Sequence, residues 1–472
     1  MMSLRAVHAG TGYQYLLRSV ATHDADPEGR SLSDYYAAKG TPPGRWIGSG
    51  LVGLLSETAT AGAVVGEVQM AALYGEGLHP DTDQMMAEGK SLGACKLGRA
   101  YPLYSGDVPV LAAISAAEKS FLTAEGRRPT PDERNQLAES VARPFYTSEF
   151  GYEHASGKDV IAWVNRERDK VRQAVAGFDF TFSPVKSVSV LWALSDEHTA
   201  SKVAALHHQA VAEALRWAED NAIYTRVGAG GIEQVKTRGI VAAEFTHFDT
   251  RGGDPDLHSH VLIANKVQGP DGQWRTLDSR TIHQMHQAIS ARYDAVLYDL
   301  LSRRMGLDFA AHYPHPDKAP IWEIKGIDRR LIDVFSSRRA LARPVYERLV
   351  AEYVEKNGRQ PTQRAAYALW QKAILDTRDA KKPAQSLDEH RATWRRVAEQ
   401  TVGPDAVSSV VRDVTEQATV DAPREVFDTD SHARQVAEQA VRSVSSRRAQ
   451  FRRSHVDTAV STALKGYRFA SD

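Results

Sequence analysis

The stretch 239–268, GIVAAEFTHFDTRGGDPDLHSHVLIANKVQ, restricts the fold more than any other part of the chain. Two runs rich in apolar and β-branched residues flank Gly252, Gly253, Asp254 and Pro255, which is turn chemistry, so the stretch reads as two antiparallel strands joined by a long turn. His258 and His260 are one residue apart and leave the same face of their strand. His247 closes the preceding strand, and pairing of the two strands brings it to that face. Three imidazoles directed at one point require an ordered sheet with one face left open.

The surrounding sequence supplies the rest of an α+β fold. From 222 to 278, IYTRV, the turn GAGG, IEQVKTRGIVAAEFTH, HSHVLIANKV, the turn GPDG and QWRTLD extend the pattern into an antiparallel meander. GFDFTFSPVKSVSVLWAL, 177–194, alternates as a strand up to a turn at Pro184, with a strand or helix beyond. Residues 197–220 form an amphipathic helix on which His207 and His208 read as surface or boundary positions. Residues 111–142 are helical around a break at GRRPTPDE, where Thr130 caps a new helix behind Pro131. Residues 281–304 are helical. From 327 onward the chain is helical and charged, with breaks at 381–385 and 401–406. The expected class is α+β, an α/β two-layer arrangement with a central antiparallel sheet, flanking helices and a C-terminal helical region.

Bulk properties narrow the function. An apolar content of 42% over 472 residues supports a substantial core, and the single cysteine, Cys95, excludes both an internal disulfide and a Cys-x-x-Cys zinc ribbon. With no secretory pattern at the N-terminus and no apolar run of the ~20 residues that span a bilayer, the expected compartment is the cytoplasm, without membrane insertion. The 59 basic and 59 acidic residues cancel, so a nucleic-acid surface must be local. NRERDK at 165–170, SSRRALAR at 336–343 and SSRRAQFRR at 445–453 are candidates, and so are plain solvated helix faces. The Gly-x-x-x-x-Gly-Lys-Ser/Thr loop of NTPases does not occur.

His247, His258 and His260 together have the composition of an open metal site. Neutral imidazole suits Zn, Mn, Ni or Cu, and three histidines leave positions for water or substrate. Asp179, on the strand GFDFTF, is the candidate acceptor for a second ring nitrogen, with Asp249 and Asp256 as alternatives that also suit turns. The metal alone leaves the reaction open. Tyr13 and Tyr15 in GYQYL, and Tyr35 and Tyr36 in DYY, add two tyrosine clusters within the first forty residues.

Taken together, these motifs resemble the conjugative relaxases of the MobF class, the TrwC/TraI-type members of the HUH endonuclease superfamily. DLHSH with His247 eleven positions upstream resembles the family's third motif. GFDFTFSPVKSVSVLWAL resembles its Gly-aromatic-Asp-x-Thr-Phe-Ser-x-x-Lys-Ser-Val-Ser strand, GYQYL and DYY its tyrosine clusters, and DYYAAKGTPPGRWIGSGLVGL the segment after the second cluster. The likeness spans roughly residues 1–400. Two features depart from it: Gln14 separates Tyr13 from Tyr15 where the family commonly has adjacent tyrosines, and residues 16–34 and about 105–145 look inserted.

The resemblance implies a catalytic HUH-type palm over 1–325 and helical fingers over 326–472, continuing into a helicase in a full-length protein. It implies strand-specific nicking and rejoining of DNA at a plasmid origin of transfer through a 5′-phosphotyrosyl intermediate. The implied catalytic residues are Tyr13, Tyr15, Tyr35, Tyr36 and Asp179, with Tyr13 slightly favoured for the first cleavage and Tyr35 and Tyr36 for a later one. The implied cofactor is a divalent ion, Mg, Mn, Zn or Ni. Implied partners are single-stranded origin DNA with an adjacent hairpin and the transfer apparatus, its relaxosome and coupling proteins. Lys186, Arg226 and Arg251 are candidate DNA contacts, the second together with Thr225 and the GAGG turn one strand from the metal. Arg338, Arg339, Arg343, Trp370 and Trp394 either cover bound single strand or, for the tryptophans, pack the helical core. The rivals are a DNA-binding accessory protein with structural histidines, and a three-histidine metallohydrolase or oxygenase for a small molecule.

Overall fold

The alternation in GFDFTF becomes the organising feature of a five-stranded antiparallel sheet. In a computed structural model that describes residues 1–20, 42–102, 107–152, 154–313, 320–377, 386–417 and 425–470, its strands are β1 (Met2–His8), β2 (Arg45–Ile47), β3 (Val175–Phe182), β6 (Ala242–Asp249) and β7 (Pro255–Ala264), ordered β1-β3-β7-β6-β2. β4 (Tyr224–Val227) and β5 (Glu233–Lys236), which fall between β3 and β6 in sequence, form a separate two-stranded ribbon, with Thr225 of β4 also bridging Leu277.

Phe178, Phe180 and Phe182 on β3, with Leu257, Val261 and Ile263 on β7, enter a core shared with the helices Lys186–Leu194, Glu197–Asn221 and Ser279–Met305. Each such side chain contributes on the order of 1.5–3 kcal/mol by burial, so a one-residue register slip that reversed the strand's faces would be strongly penalised. Alternation sends Asp179 and Thr181 of β3 and His258, His260, Leu262 and Ala264 of β7 to the opposite face. There Leu262 and Ala264 join Ala243 and Phe245 of β6 in a second core with Tyr13, Leu16, Leu17, Trp46, Met70 and Tyr74. This face is an apolar floor that turns polar at one end.

The helices expected at 111–142 run from Pro109 to Glu125 and from Pro131 to Phe150, the latter with Thr130 as N-cap. Beyond Pro184 the alternative resolves to a helix, because Val188, Val190, Leu191 and Leu194 are all buried. The expected meander is corrected. Only β6 and β7 belong to the sheet, because Arg238 and Gly239 turn the chain away after β5. The short pair β8 (Val267–Gln268) and β9 (Trp274–Arg275) also stands apart. His207 is corrected too: it is fully buried, and its ring bonds Tyr293 Oη at 2.7 Å and Ser259 Oγ at 3.1 Å. His208, half-buried, faces Glu244 at 3.0 Å.

In the C-terminal region the helix Leu387–Val402 buries Trp394 against Trp192, ring centroids 5.8 Å apart, within the main core. Trp370 packs on Tyr346 in a small cluster between the helices Ser337–Asn357 and Gln363–Asp376. No described helix is long and apolar enough to cross a membrane.

Candidate metal centre and tyrosine site

Strand register assembles the three histidines. His247 of β6 is paired directly with His258 of β7, and His260 follows on the same face. Their ring centroids are 5.3 Å (247 to 258), 4.9 Å (247 to 260) and 5.1 Å (258 to 260) apart, and one nitrogen from each lies within 4.8 Å of the others. A β-bulge after His247 carries the chain off the ladder into the turn.

Two of the rings are held through Nδ1. His258 Nδ1 meets the Asp256 carbonyl oxygen at 2.7 Å. His260 Nδ1 meets Asp179 Oδ2 at 2.9 Å and Thr181 Oγ1 at 3.1 Å. Donation through Nδ1 fixes the tautomer and leaves Nε2 with its lone pair for a ligand, the usual preparation of a metal-binding histidine. Burial pushes the His258 imidazole below its ordinary range, which keeps it neutral. The donor set fits a divalent metal ion: three nearly buried imidazoles, two of them oriented through Nδ1, with coordination positions left over. Asp179 therefore lies where the sequence put the outer acceptor. Asp256 contributes through its backbone, while Asp249 faces His390 at 3.7 Å and burial raises its carboxyl.

The two N-terminal tyrosines diverge. Gly12 ends the turn after β1, and a Cβ there would come within 2.2 Å of the His8 carbonyl oxygen, so only glycine lets the chain fold back into the helix Gln14–Val20. Tyr15 then projects over the polar end of the sheet. Its hydroxyl donates to Asp179 Oδ2, its ring centroid is 6.1 Å from that of His260, and the Arg5 guanidinium lies 5.4 Å from the ring. Burial, and then the Asp179 charge, push the Tyr15 phenol well above its usual range, while Arg5 acts in the other direction. Tyr13 is 3% exposed, packs in the apolar floor, and burial pushes its phenol up to about 12. The slight preference for Tyr13 is thus not matched by the geometry, because Tyr13 lies in the turn ahead of the helix with its ring in the apolar floor, whereas Tyr15, on the helix, reaches Asp179. Tyr35 and Tyr36 lie outside the described residues.

Of the candidate DNA contacts, Lys186 Nζ bonds the Pro255 carbonyl at 2.9 Å and buttresses the start of β7, and Arg251 is exposed in the histidine turn. Arg226 is bound to Asp278 at 2.8 Å on the β4–β5 ribbon, which corrects its placement, with Thr225 and GAGG, one strand from the metal. Sequence reasoning missed Arg5 and Thr181. Thr181 was recoverable, two residues from Asp179 on one strand, whereas Arg5 meets Asp179 only through the β1–β3 register.

A family model described as TrwC relaxase matches residues 9–401. The chain belongs to the TrwC relaxase family. Among its relatives, the multifunctional conjugation protein TraI of Escherichia coli is 26% identical over 294 residues, covering 61% of this chain and 15% of that protein. TraI of Escherichia coli strain K12 is 35% identical over 116 residues, 25% of this chain and 6% of that one, so this TrwC-family chain spans a small fraction of either relative's length. Among solved structures, conjugative relaxase TrwC in complex with oriT DNA, copper-bound, is 21% identical with a TM-score of 0.49, and the metal-free complex is 20% identical with 0.48. Each comparison covers 85% of this chain and 98% of the other.

Proposed function

We propose that this chain nicks and rejoins single-stranded DNA at a plasmid origin of transfer, with Tyr15 as the first nucleophile. The observation that carries the reading is the connected series Tyr15 hydroxyl, Asp179 carboxylate, His260 imidazole, which joins a nucleophile and its proton acceptor to the metal centre. Family membership supplies the class of reaction.

His247, His258 and His260 would hold a divalent ion, which would supply positive charge to offset the charge that builds on the scissile phosphodiester. Tyr15 Oη attacks phosphorus in line, the O–P bond to the 3′-oxygen breaks, and that oxygen leaves and takes a proton from water to become a free 3′-hydroxyl. The DNA 5′ end remains on Tyr15 as a phosphodiester. Asp179 accepts the phenolic proton. Burial and the Asp179 charge push the phenol well above its usual range, so no standing phenolate forms and the proton moves as the new bond does. Arg5, over the ring, offsets charge that develops on the phenolic oxygen. A phosphotyrosine conserves the bond energy, so the 3′-hydroxyl reseals the strand without ATP.

In this reading residues 1–325 carry catalysis and 326–472 are fingers over the bound strand. Tyr35 and Tyr36 serve a later cleavage, an origin hairpin and the relaxosome and coupling proteins are partners, and the setting is the cytoplasm. The test incubates the protein with a single-stranded DNA library and a divalent metal and sequences the covalent adducts. One recurrent 5′-terminal sequence on the protein, with recombined strands on addition of excess acceptor oligonucleotide, is expected. Free ends that accumulate without adduct or joined product would refute it.

A further inference from the structure

The helices Pro109–Glu125, Pro131–Phe150 and Gly157–Lys170 surround a core of their own, Val110, Ile114, Ala142, Val160, Trp163 and Val164, separate from both cores of the sheet. This unit contains most of the stretch that departs from the family pattern. Where it meets edge strand β1 and the tyrosine turn it encloses a cavity of about 700 Å³, large enough for a small organic ligand.

The cavity is basic although the chain as a whole is neutral. Among the described residues its lining carries seven Lys and Arg side chains against three carboxylates. Arg128 and Arg134 both grip Glu76, at 2.6 and 2.7 Å, and Glu118 lies 3.6 Å from Arg134. Arg168 also faces the space, 3.3 Å from the neutral Asn165 Oδ1. Burial lowers its guanidinium below the usual arginine range, while Glu118 acts in the other direction and Arg134 lowers it further. Tyr13, Tyr101, Pro129 and Pro131 contribute apolar surface to the lining. The lining also includes Tyr15, whose hydroxyl donates to Asp179, and Arg5, which pairs with Asp179 across β1 and β3.

We propose that this cavity is a nucleotide subsite, which holds a nucleotide of single-stranded DNA next to the phosphodiester attacked by Tyr15, its phosphate on the Arg134–Arg168 wall. The position beside Tyr15 rests on the proposed function, whereas the recognition of a nucleotide does not. The test is calorimetric titration of the full chain, without metal, with 5′-phosphorylated dithymidylate. Arg168→Gln should weaken binding about tenfold or more through loss of a charged hydrogen-bonding partner. Ser115→Trp, which fills the cavity and leaves its charges in place, should abolish binding. Thermal unfolding shows that each variant is folded. Inorganic phosphate should compete only at concentrations at least a hundredfold higher. Absent binding by the parent, unchanged binding in the folded Arg168→Gln and Ser115→Trp proteins, or equal competition by inorganic phosphate would each overturn the subsite. Arg168-dependent binding in a parent that forms no adduct with library DNA would instead overturn the catalytic reading and leave the subsite standing.

Discussion

Replacing Asp179 by Asn keeps the shape of the side chain and removes its charge. Asp179 is 2% exposed and receives the His260 Nδ1 proton at 2.9 Å and the Tyr15 hydroxyl proton. Both protons reach Oδ2, and an amide that keeps its oxygen there places its NH₂ group at the Oδ1 position, 3.0 Å from the His260 Nδ1 donor. Loss of an outer-shell acceptor typically lowers metal affinity 10–100-fold, about 1.4–2.7 kcal/mol. Thr181 Oγ1, 3.1 Å from the same nitrogen, takes over part of the orientation, which places the expected loss near the tenfold end. Asp179→Asn with Thr181→Val should therefore lose more than the sum of the single effects, because the two acceptors back each other up. Titration of the full chain with Mn²⁺ or Ni²⁺ against a competing chelator reads this directly. Unchanged affinity in Asp179→Asn would refute the idea that Asp179 orients His260. A loss beyond a thousandfold would mean that its carboxylate binds the metal itself.

Trp394→Phe retains the packing but removes the indole N–H bond to the Gly253 carbonyl, 2.7 Å long, that ties a C-terminal helix to the histidine turn. It should cost ~1 kcal/mol in chemical denaturation and weaken metal binding a few-fold, and an unchanged metal titration would show that the turn is held without it. Burial lowers both His207 and His258 from the unfolded value of 6.5, so the unfolded chain binds protons first and stability, complete above that pH, falls as pH drops below it. Urea midpoints of the chelated protein should decline from pH 7.5 to 5.5, with a shallower slope in His207→Gln, and identical slopes would exclude His207 as a source. Tyr13→Phe should keep adduct formation within a few-fold of the parent and lose ~0.5–1.5 kcal/mol of stability, whereas an inactive but folded variant would return the nucleophile to Tyr13.

The parts of the site that one strand or one strand pair defines were legible in the sequence. His258 and His260 share a face because a strand has period two. His247 joins them because a hairpin register is local, and Asp179 follows from the Phe178, Phe180 and Phe182 alternation, which reserves the other face for polar groups. Contacts between distant segments were not legible. Nothing in MSLRAVH says that β1 pairs with β3 or that Arg5 then sits beside Asp179, and no period separates a β4–β5 ribbon from a continuous meander. His207 looked like a boundary residue because its partners, Tyr293 and Ser259, come from elements 86 and 52 residues away. The two tyrosines were equally uninformative, since Tyr13 and Tyr15 separate into apolar floor and polar site only once Gly12 sets the direction in which the chain enters the helix Gln14–Val20.

Peptide mass mapping of the covalent protein–DNA adduct, trapped with metal and single-stranded origin DNA and without nucleotide triphosphate, tests the central claim most directly. The account predicts a nucleotide 5′-linked to Tyr15, with the adduct lost in Tyr15→Phe and in the chelated protein. An adduct on Tyr13, one found only on Tyr35 or Tyr36, or full cleavage by the Tyr15→Phe protein would contradict it.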